Sequence, residues 1–496
     1  MIPWPKKPFI YQINTWVWLS TLSRDYNWPI TLENVPDKIL DELASYGVDA
    51  IWLMGVWSRS AAAKTSALKY AAQYKSALPD LIYDDIIGSA YAIGAYQVDE
   101  NLGGRRGLAA FRQRLQQRGL RLVLDFVPNH VALDHAWVRI HPEYLVLGTP
   151  RDMEKTPGNF FSARDATGRT IVVAHGRDPY FPGWIDTAQI NIFHSGARQA
   201  LLATLLDIAS QCDGVRCDMA MLLVNDVFAH TWQNYVGAPP AAEFWPEIIP
   251  PVRLHYPHFA FIAEVYWDME ARLLELGFDY TYDKRLYDRL VGRRAREVRD
   301  HLQAALNFQE RQVRFIENHD EQRAAETLGP RASQPAAVLV CTLPGAVLLH
   351  DGQLSGRRVK LPVQIGRQPY EPPNEDLKHF YLKLLAETRA PIYQTGDWRL
   401  FPVEPVAKDN LTHDNLIAYG WRRGADYRLI IVNLTDRQSQ ALVNLETWPE
   451  VKQRSWALND VLNGHQYLRQ GDLVGGKGLY VDLWPFGAHI FHLDPA

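Results

Sequence analysis

Residues 213–222 read DGVRCDMAML. Val215, Cys217, Met219 and Met221 supply one apolar side of a strand-like alternation, while Arg216 and Asp218 put two charges on the other side of an interior segment. A carboxylate without a partner is not kept in an apolar core, because its lost hydration costs several kcal/mol. The charged side must therefore look into polar surroundings, and Arg216 and Asp218 are expected to face a pocket lined by Glu264 and Asp320.

Outward from this stretch, short β-branched or aromatic runs alternate with segments of helical period, the pattern of βα units. Eight runs follow in order: FIYQIN, VDAIWLM, LRLVLDFVP, GVRCDMA, FAFIAEVYW, FDYTYD, VRFIENHD and AVLVCTLPGAVLL. Between them LAAFRQRLQQRG, ending at Gly119, and ARQALLATLLDIASQ carry apolar residues at helical spacing. Eight such units predict an α/β fold, a (β/α)8 TIM barrel over residues 1–131 and 187–395. Residues 132–186, after the third strand, are rich in Gly, Pro, His and aromatics with little periodicity, and read as a small irregular subdomain at the rim. Residues 396–496 switch to short alternating runs such as LIAYGWRR, YRLIIVNL, LYVDLW and HIFHL, which predict a C-terminal antiparallel β-domain, a β-sandwich.

The bulk numbers exclude several classes. A net charge of −4 favours neither nucleic acid nor an anionic membrane as partner. No run approaches the roughly 18 apolar residues that cross a bilayer, and the stretch after Lys6 and Lys7 is too short and polar for a secretion signal, so the expected location is cytoplasmic. Cys212, Cys217 and Cys341 form no disulfide framework. Sixteen tryptophans and 23 tyrosines suit a protein that stacks rings against the flat C–H face of a sugar.

Polar groups gather at the C-terminal ends of four of the strands, the face on which barrel enzymes place their chemistry. The third strand runs into Asp125, Asn129 and His130, the fourth into Arg216 and Asp218, the fifth into Glu264, and the seventh into Glu317, Asn318, His319 and Asp320. Taken singly, Asp218 with Arg216 reads equally as a structural ion pair, Glu264 as a solvated acid and His130 as a satisfied core histidine; Asp125 reads as structural. Four coincidences at one face read as a site.

The segments DFVPNH, GVRCDMA, IAEVYW and FIENHDE, in that order and at these separations, resemble the four signature segments of the α-amylase family of glycoside hydrolases. The resemblance covers the whole barrel and, more loosely, the β-domain after it. It implies a retaining α-glycosidase acting on α-glucans or maltooligosaccharides, with Asp218 as nucleophile, Glu264 as general acid/base and Asp320 as transition-state stabiliser. Arg216, His130 and His319 then contact the sugar or the catalytic acids, and Tyr91, in GSAYAIGAYQVDENLGG, matches the ring that stacks beneath the sugar. Tyr266 and Trp267 follow closely on Glu264, and Trp267 is expected to stack an incoming sugar.

Three departures from the family pattern bear on specificity. Gly88 stands where members that take terminal sugars often carry Asp. Met221 and Leu222 stand near a Lys-His pair of many α-amylases and predict a less polar leaving side. The segments 342–358 and 277–288 resemble maltosyl-transferring relatives, so a glycosyltransferring or isomerising activity, maltosyltransferase-like or trehalose-forming, is the alternative. A non-catalytic carbohydrate-binding protein on this barrel is the third reading; it would have lost a catalytic acid, and all three are present. No cofactor is required by this chemistry, and calcium, common in the family, would use Asn129, although no carboxylate cage is legible.

Overall fold

The computed structural model describes residues 3–471 and 476–496. Its central sheet is a closed barrel of eight strands: β1 (Phe9–Asn14), β2 (Ala50–Met54), β3 (Arg121–Phe126), β4 (Gly214–Cys217), β5 (Ala260–Ala263), β6 (Tyr280–Tyr282), β7 (Gln312–Arg314) and β8 (Ala346–His350). Each strand neighbours the next in sequence, and β8 closes on β1. β4 runs parallel to both neighbours, with Arg216 opposite Asp125 of β3 and Ile262 of β5. The (β/α)8 barrel expected from the alternation is therefore present, and a C-terminal antiparallel sheet domain follows it in the chain.

The helices arise where the apolar spacing indicated. Gly104–Gln116 buries Leu108, Phe111 and Leu115 at spacings of three and four, and the chain leaves it through Gly119 at φ +75°. Ser195–Gln211 precedes β4 and buries Leu201, Leu205 and Ile208 in the same way.

One run is corrected. AVLVCTLPGAVLL is not a single strand: its first half ends the helix Pro330–Thr342, and only Ala346–His350 is β8. The last turns of that helix, Ala336–Thr342, are buried throughout, so an unbroken apolar run carries no helical period to read. Pro344 and Gly345, at φ +102°, separate helix from strand.

By its contacts the chain forms two compact units. The first, residues 1–4, 11–282 and 360–370, contains β2 to β6, the part of β1 from Tyr11 onward, and the long segment after β3. That segment is more regular than expected: Leu147–Gly148, Phe160–Arg164 and Thr170–Ala174 form a three-stranded antiparallel sheet, and His130–Ala132 pairs with Thr187–Gln189. The second unit, residues 5–10, 283–359 and 371–496, contains β7, β8 and the C-terminal sheets. There a six-stranded antiparallel sheet and a three-stranded one share a core that includes Leu429, Ile431, Trp448, Val481 and Phe491. Among the described residues no helix is long and apolar enough to cross a membrane.

Candidate active site

Arg216 organises the first unit's site. It is penultimate in β4, 1% exposed, and its guanidinium bridges two acids: Nη1 donates to Asp218 Oδ1 at 2.7 Å, and Nη2 lies 2.9 Å from Glu264 Oε2. Asp125 Oδ1 stands farther off, 3.6 Å from Nη1. Trp52, Tyr91 and Tyr282 surround the guanidinium, their ring centres 5.2 to 5.9 Å from its carbon. Burial opposes the charge, but Glu264, the two tyrosines and Asp218 hold Arg216 protonated well above the ordinary arginine range. On this interior strand each of the two charges, Arg216 and Asp218, thus supplies the other's partner.

Glu264 directly follows β5 and is 3% exposed. Besides Arg216, its Oε2 accepts the backbone N–H of Met219 at 2.6 Å, and its Oε1 accepts the hydroxyl of Tyr266 at 2.8 Å. Three donors, the Arg216 guanidinium, the Met219 amide and the Tyr266 hydroxyl, thus converge on this carboxyl, and each favours its ionised form. The Met219 contact depends on backbone strain, because Met219 sits at φ 45°, ψ 45°, a left-handed conformation that costs a side-chain-bearing residue roughly 1–3 kcal/mol. This turn aims the amide after Asp218 at Glu264. Sequence reasoning missed it, since methionine carries no left-handed signal.

His130 and Tyr91 are brought to the same place. The His130 ring is buried, packs 5.1 Å from Trp184 and bonds to the Tyr91 backbone; burial pushes it down to about 4, against the pull of Asp186, so it is neutral at pH 7. Tyr91 in turn lies under Arg216. Gly88 adopts φ +87°, and a Cβ there would come 3.0 Å from the Lys64 backbone, so a larger residue would be strained.

Trp267 points elsewhere. It and Asp268 are both left-handed, at φ 61° and 62°, so the chain reverses directly after Tyr266. Tyr266 turns in to Glu264, while Trp267 stays 38% exposed and meets Tyr180 edge-on, with ring centres 5.1 Å apart. Tyr180 and Phe181, 66% and 67% exposed, stand out from the segment after β3 because Asp178 Oδ1 accepts both their amides, at 2.6 and 2.9 Å. Sequence reasoning did not single out Tyr180; a pair of adjacent aromatics in a loop was the available signal. Met221 and Leu222 are buried in the turn Ala220–Leu223, at 0% and 3% exposure, so they offer a sugar almost no surface. The apolar leaving side expected of them is corrected: both side chains are buried in the protein.

In the second unit, the chain past β7 carries Glu317, His319 and Asp320. His319 is buried with Nε2 3.0 Å from Asp320 Oδ2, and the Asp320 side chain is 40% exposed. Its backbone is held by Asn318, whose Oδ1 accepts the Asp320 and Glu321 amides. Glu317 serves the fold: burial alone would raise it, but Arg323 at 2.6 Å and His350 hold it below the ordinary carboxylate range.

Asn129 does not fit a calcium site. Its Oδ1 accepts the Gln189 amide at 3.1 Å and its Nδ2 faces Gln189 Oε1 at 3.4 Å. Among the described residues no three His, Cys, Asp or Glu side chains are grouped to hold a metal ion. Asp125 receives Trp52 Nε1 at 3.2 Å, consistent with a structural place in the barrel.

Residues 31–185 match the family model for the α-amylase catalytic domain. The α-amylase MalA of Haloarcula japonica is 26% identical over 405 residues, which is 79% of this chain; the chain spans about half, 51%, of that protein's length. Among solved structures, a maltogenic α-amylase, AmyB, from Thermotoga neapolitana superposes with a TM-score of 0.70 at 18% identity, covering 98% of each chain. The α-amylase of Geobacillus thermoleovorans, solved with acarbose, gives 0.68 at 17%, covering 100% of this chain and 99% of that one. At such identities the structural likeness speaks for the fold.

Proposed function

We propose that this chain is a retaining α-glycosidase of the α-amylase family that cleaves α-glucans or maltooligosaccharides by double displacement, a reading supported by the match of residues 31–185 to the α-amylase catalytic-domain model and by the 26% identity to MalA. The observation that carries the proposal is the bridging of Asp218 and Glu264 by one buried guanidinium. A single arginine fork reaches both carboxylates only when they are close, and retention needs its two acids about 5–5.5 Å apart, whereas inversion leaves room for water at roughly 6.5–9.5 Å.

With the sugar over Tyr91, Asp218 attacks the anomeric carbon, the glycosidic bond breaks, and Glu264 gives its proton to the departing oxygen. For Asp320, partly exposed and held by His319, the family resemblance supports the role of transition-state stabiliser. The shared arginine couples the two steps. While Asp218 is a carboxylate, Arg216 divides its charge between two acids. Once Asp218 is a neutral ester, the full charge falls to Glu264 and favours its ionised form, the form needed to take a proton from the incoming water. That water then breaks the ester with overall retention and frees Asp218.

A second reading, transfer to a sugar hydroxyl in place of water, is favoured by the exposed Trp267–Tyr180 pair, on which an acceptor ring could stack. Incubation with maltooligosaccharides of defined length, with and without phosphate, and identification of every product separates the readings. Shortened products alone mean hydrolysis, elongated ones transfer, a glycosyl phosphate phosphorolysis, and no product refutes a glycosidase.

A further inference from the structure

The second unit holds a cleft of about 230 Å3 whose lining shares no residue with the groups described at Asp218, Glu264 or Asp320. One wall is the helix Glu375–Thr388, which presents Asp376, His379, Phe380 and Lys383 at helical spacing on one face. The other wall includes Trp484, 38% exposed. Its indole lies close over Gly487, where a Cβ would come 3.1 Å from Cε2 and Nε1, and the His489 ring packs against it at 5.4 Å and 85°. His489 is itself held by buried Asp460 at 2.5 Å. Lys383 closes one end by donating to the Leu462 carbonyl at 3.0 Å.

Among the described residues, the Trp484 indole N–H and the side chains of Asp376, His379 and Gln334 have no hydrogen-bond partner in the protein. A fixed, half-exposed aromatic face ringed by uncommitted donors and acceptors selects a ligand with one apolar face and many hydroxyls. An apolar peptide would strip water from Asp376 and His379 without replacing it, and an anion would meet the Asp376 carboxylate. A neutral pyranose satisfies both demands. We propose that this cleft is a second carbohydrate site, which holds a chain of α-glucan on Trp484 and hydrogen-bonds it through Asp376, His379 and Gln334. The ligand's identity rests on the α-glycosidase reading above; the site itself does not.

Native electrophoresis through gels with and without amylopectin tests this, using Asp218→Asn as the background so that the gel is not digested. Adding Trp484→Ala should reduce the retardation by amylopectin at least threefold, and Asp376→Ala with His379→Ala should do the same without touching the packed indole. In the otherwise native enzyme, neither change should alter turnover of a short aryl maltoside by more than twofold. Unchanged retardation in both variants, or no retardation of the parent, overturns the proposal. Retardation that depends on Trp484 in a protein that cleaves no aryl maltoside would uphold the site and sink the glycosidase reading instead.

Discussion

The hydroxyl of Tyr266 donates a 2.8 Å hydrogen bond to Oε1 of Glu264. A donor on a carboxylate favours its ionised form, so Tyr266→Phe should make Glu264 hold its proton to higher pH. The expected result is an upward shift of the alkaline limb of the kcat/KM profile, with kcat at the optimum changed by less than about tenfold. An unmoved limb would separate Tyr266 from the acid.

Replacing Arg216 by Met leaves Asp218 and Glu264 buried together without their shared cation. Loss of one partner from a buried charge cluster costs about 3–5 kcal/mol, and equilibrium urea unfolding should show a loss of that size. Activity should fall roughly a hundredfold or more. Arg216→Lys, able to reach one acid but not both, should recover stability before it recovers turnover.

Asp218→Asn keeps the shape of the site and removes the attacking charge, so turnover should drop by roughly four orders of magnitude or more with the fold intact. Glu264→Gln should abolish cleavage of natural glucans yet spare glycosylation by substrates whose leaving group needs no proton, and azide should restore turnover. Equal loss on both substrate types, without rescue by azide, would remove Glu264 from the acid/base role.

Trp267 and Tyr180 meet edge-on and stay exposed. If an acceptor sugar stacks there, each alanine variant should lower the ratio of elongated to shortened products by about two- to tenfold, as expected for an aromatic contact worth roughly 0.5–1.5 kcal/mol. Product analysis at high maltooligosaccharide concentration reads this ratio. Absence of elongated product from the native enzyme at every concentration leaves hydrolysis alone.

Burial holds His130 down at about 4, below its ordinary 6.5, so the folded chain refuses a proton that the unfolded chain takes up. The stabilisation is complete above 6.5 and is lost as pH falls from 6.5 to 4, by about 3 kcal/mol from this one residue. His135 and His350 are pushed down to about 4 by burial as well. His130→Asn should flatten, without removing, the fall in urea midpoint between pH 7 and pH 4.5. An identical pH dependence in native and variant proteins would show that His130 is not the buried neutral group described.

The sequence by itself determined the barrel, because eight apolar runs at βα spacing admit few other packings, and it determined which strand ends carry charge. Arg216, Asp218 and Glu264 were legible as one site because charges on interior strands have to find each other. The tertiary structure alone decided what depends on backbone direction and on contacts far apart in the chain. Nothing in the letters distinguishes Met219 at φ 45°, which aims its amide at Glu264, from any buried methionine. Met221 and Leu222 could have lined the cleft or filled the core, since hydrophobicity is the same in either place; burial chose the core. Trp267 meets Tyr180 across 87 residues of chain, and residues 337–342 became helix where strand and buried helix share one apolar pattern. In each case the deciding term is a long-range contact or a left-handed turn, and neither leaves a local periodicity to read.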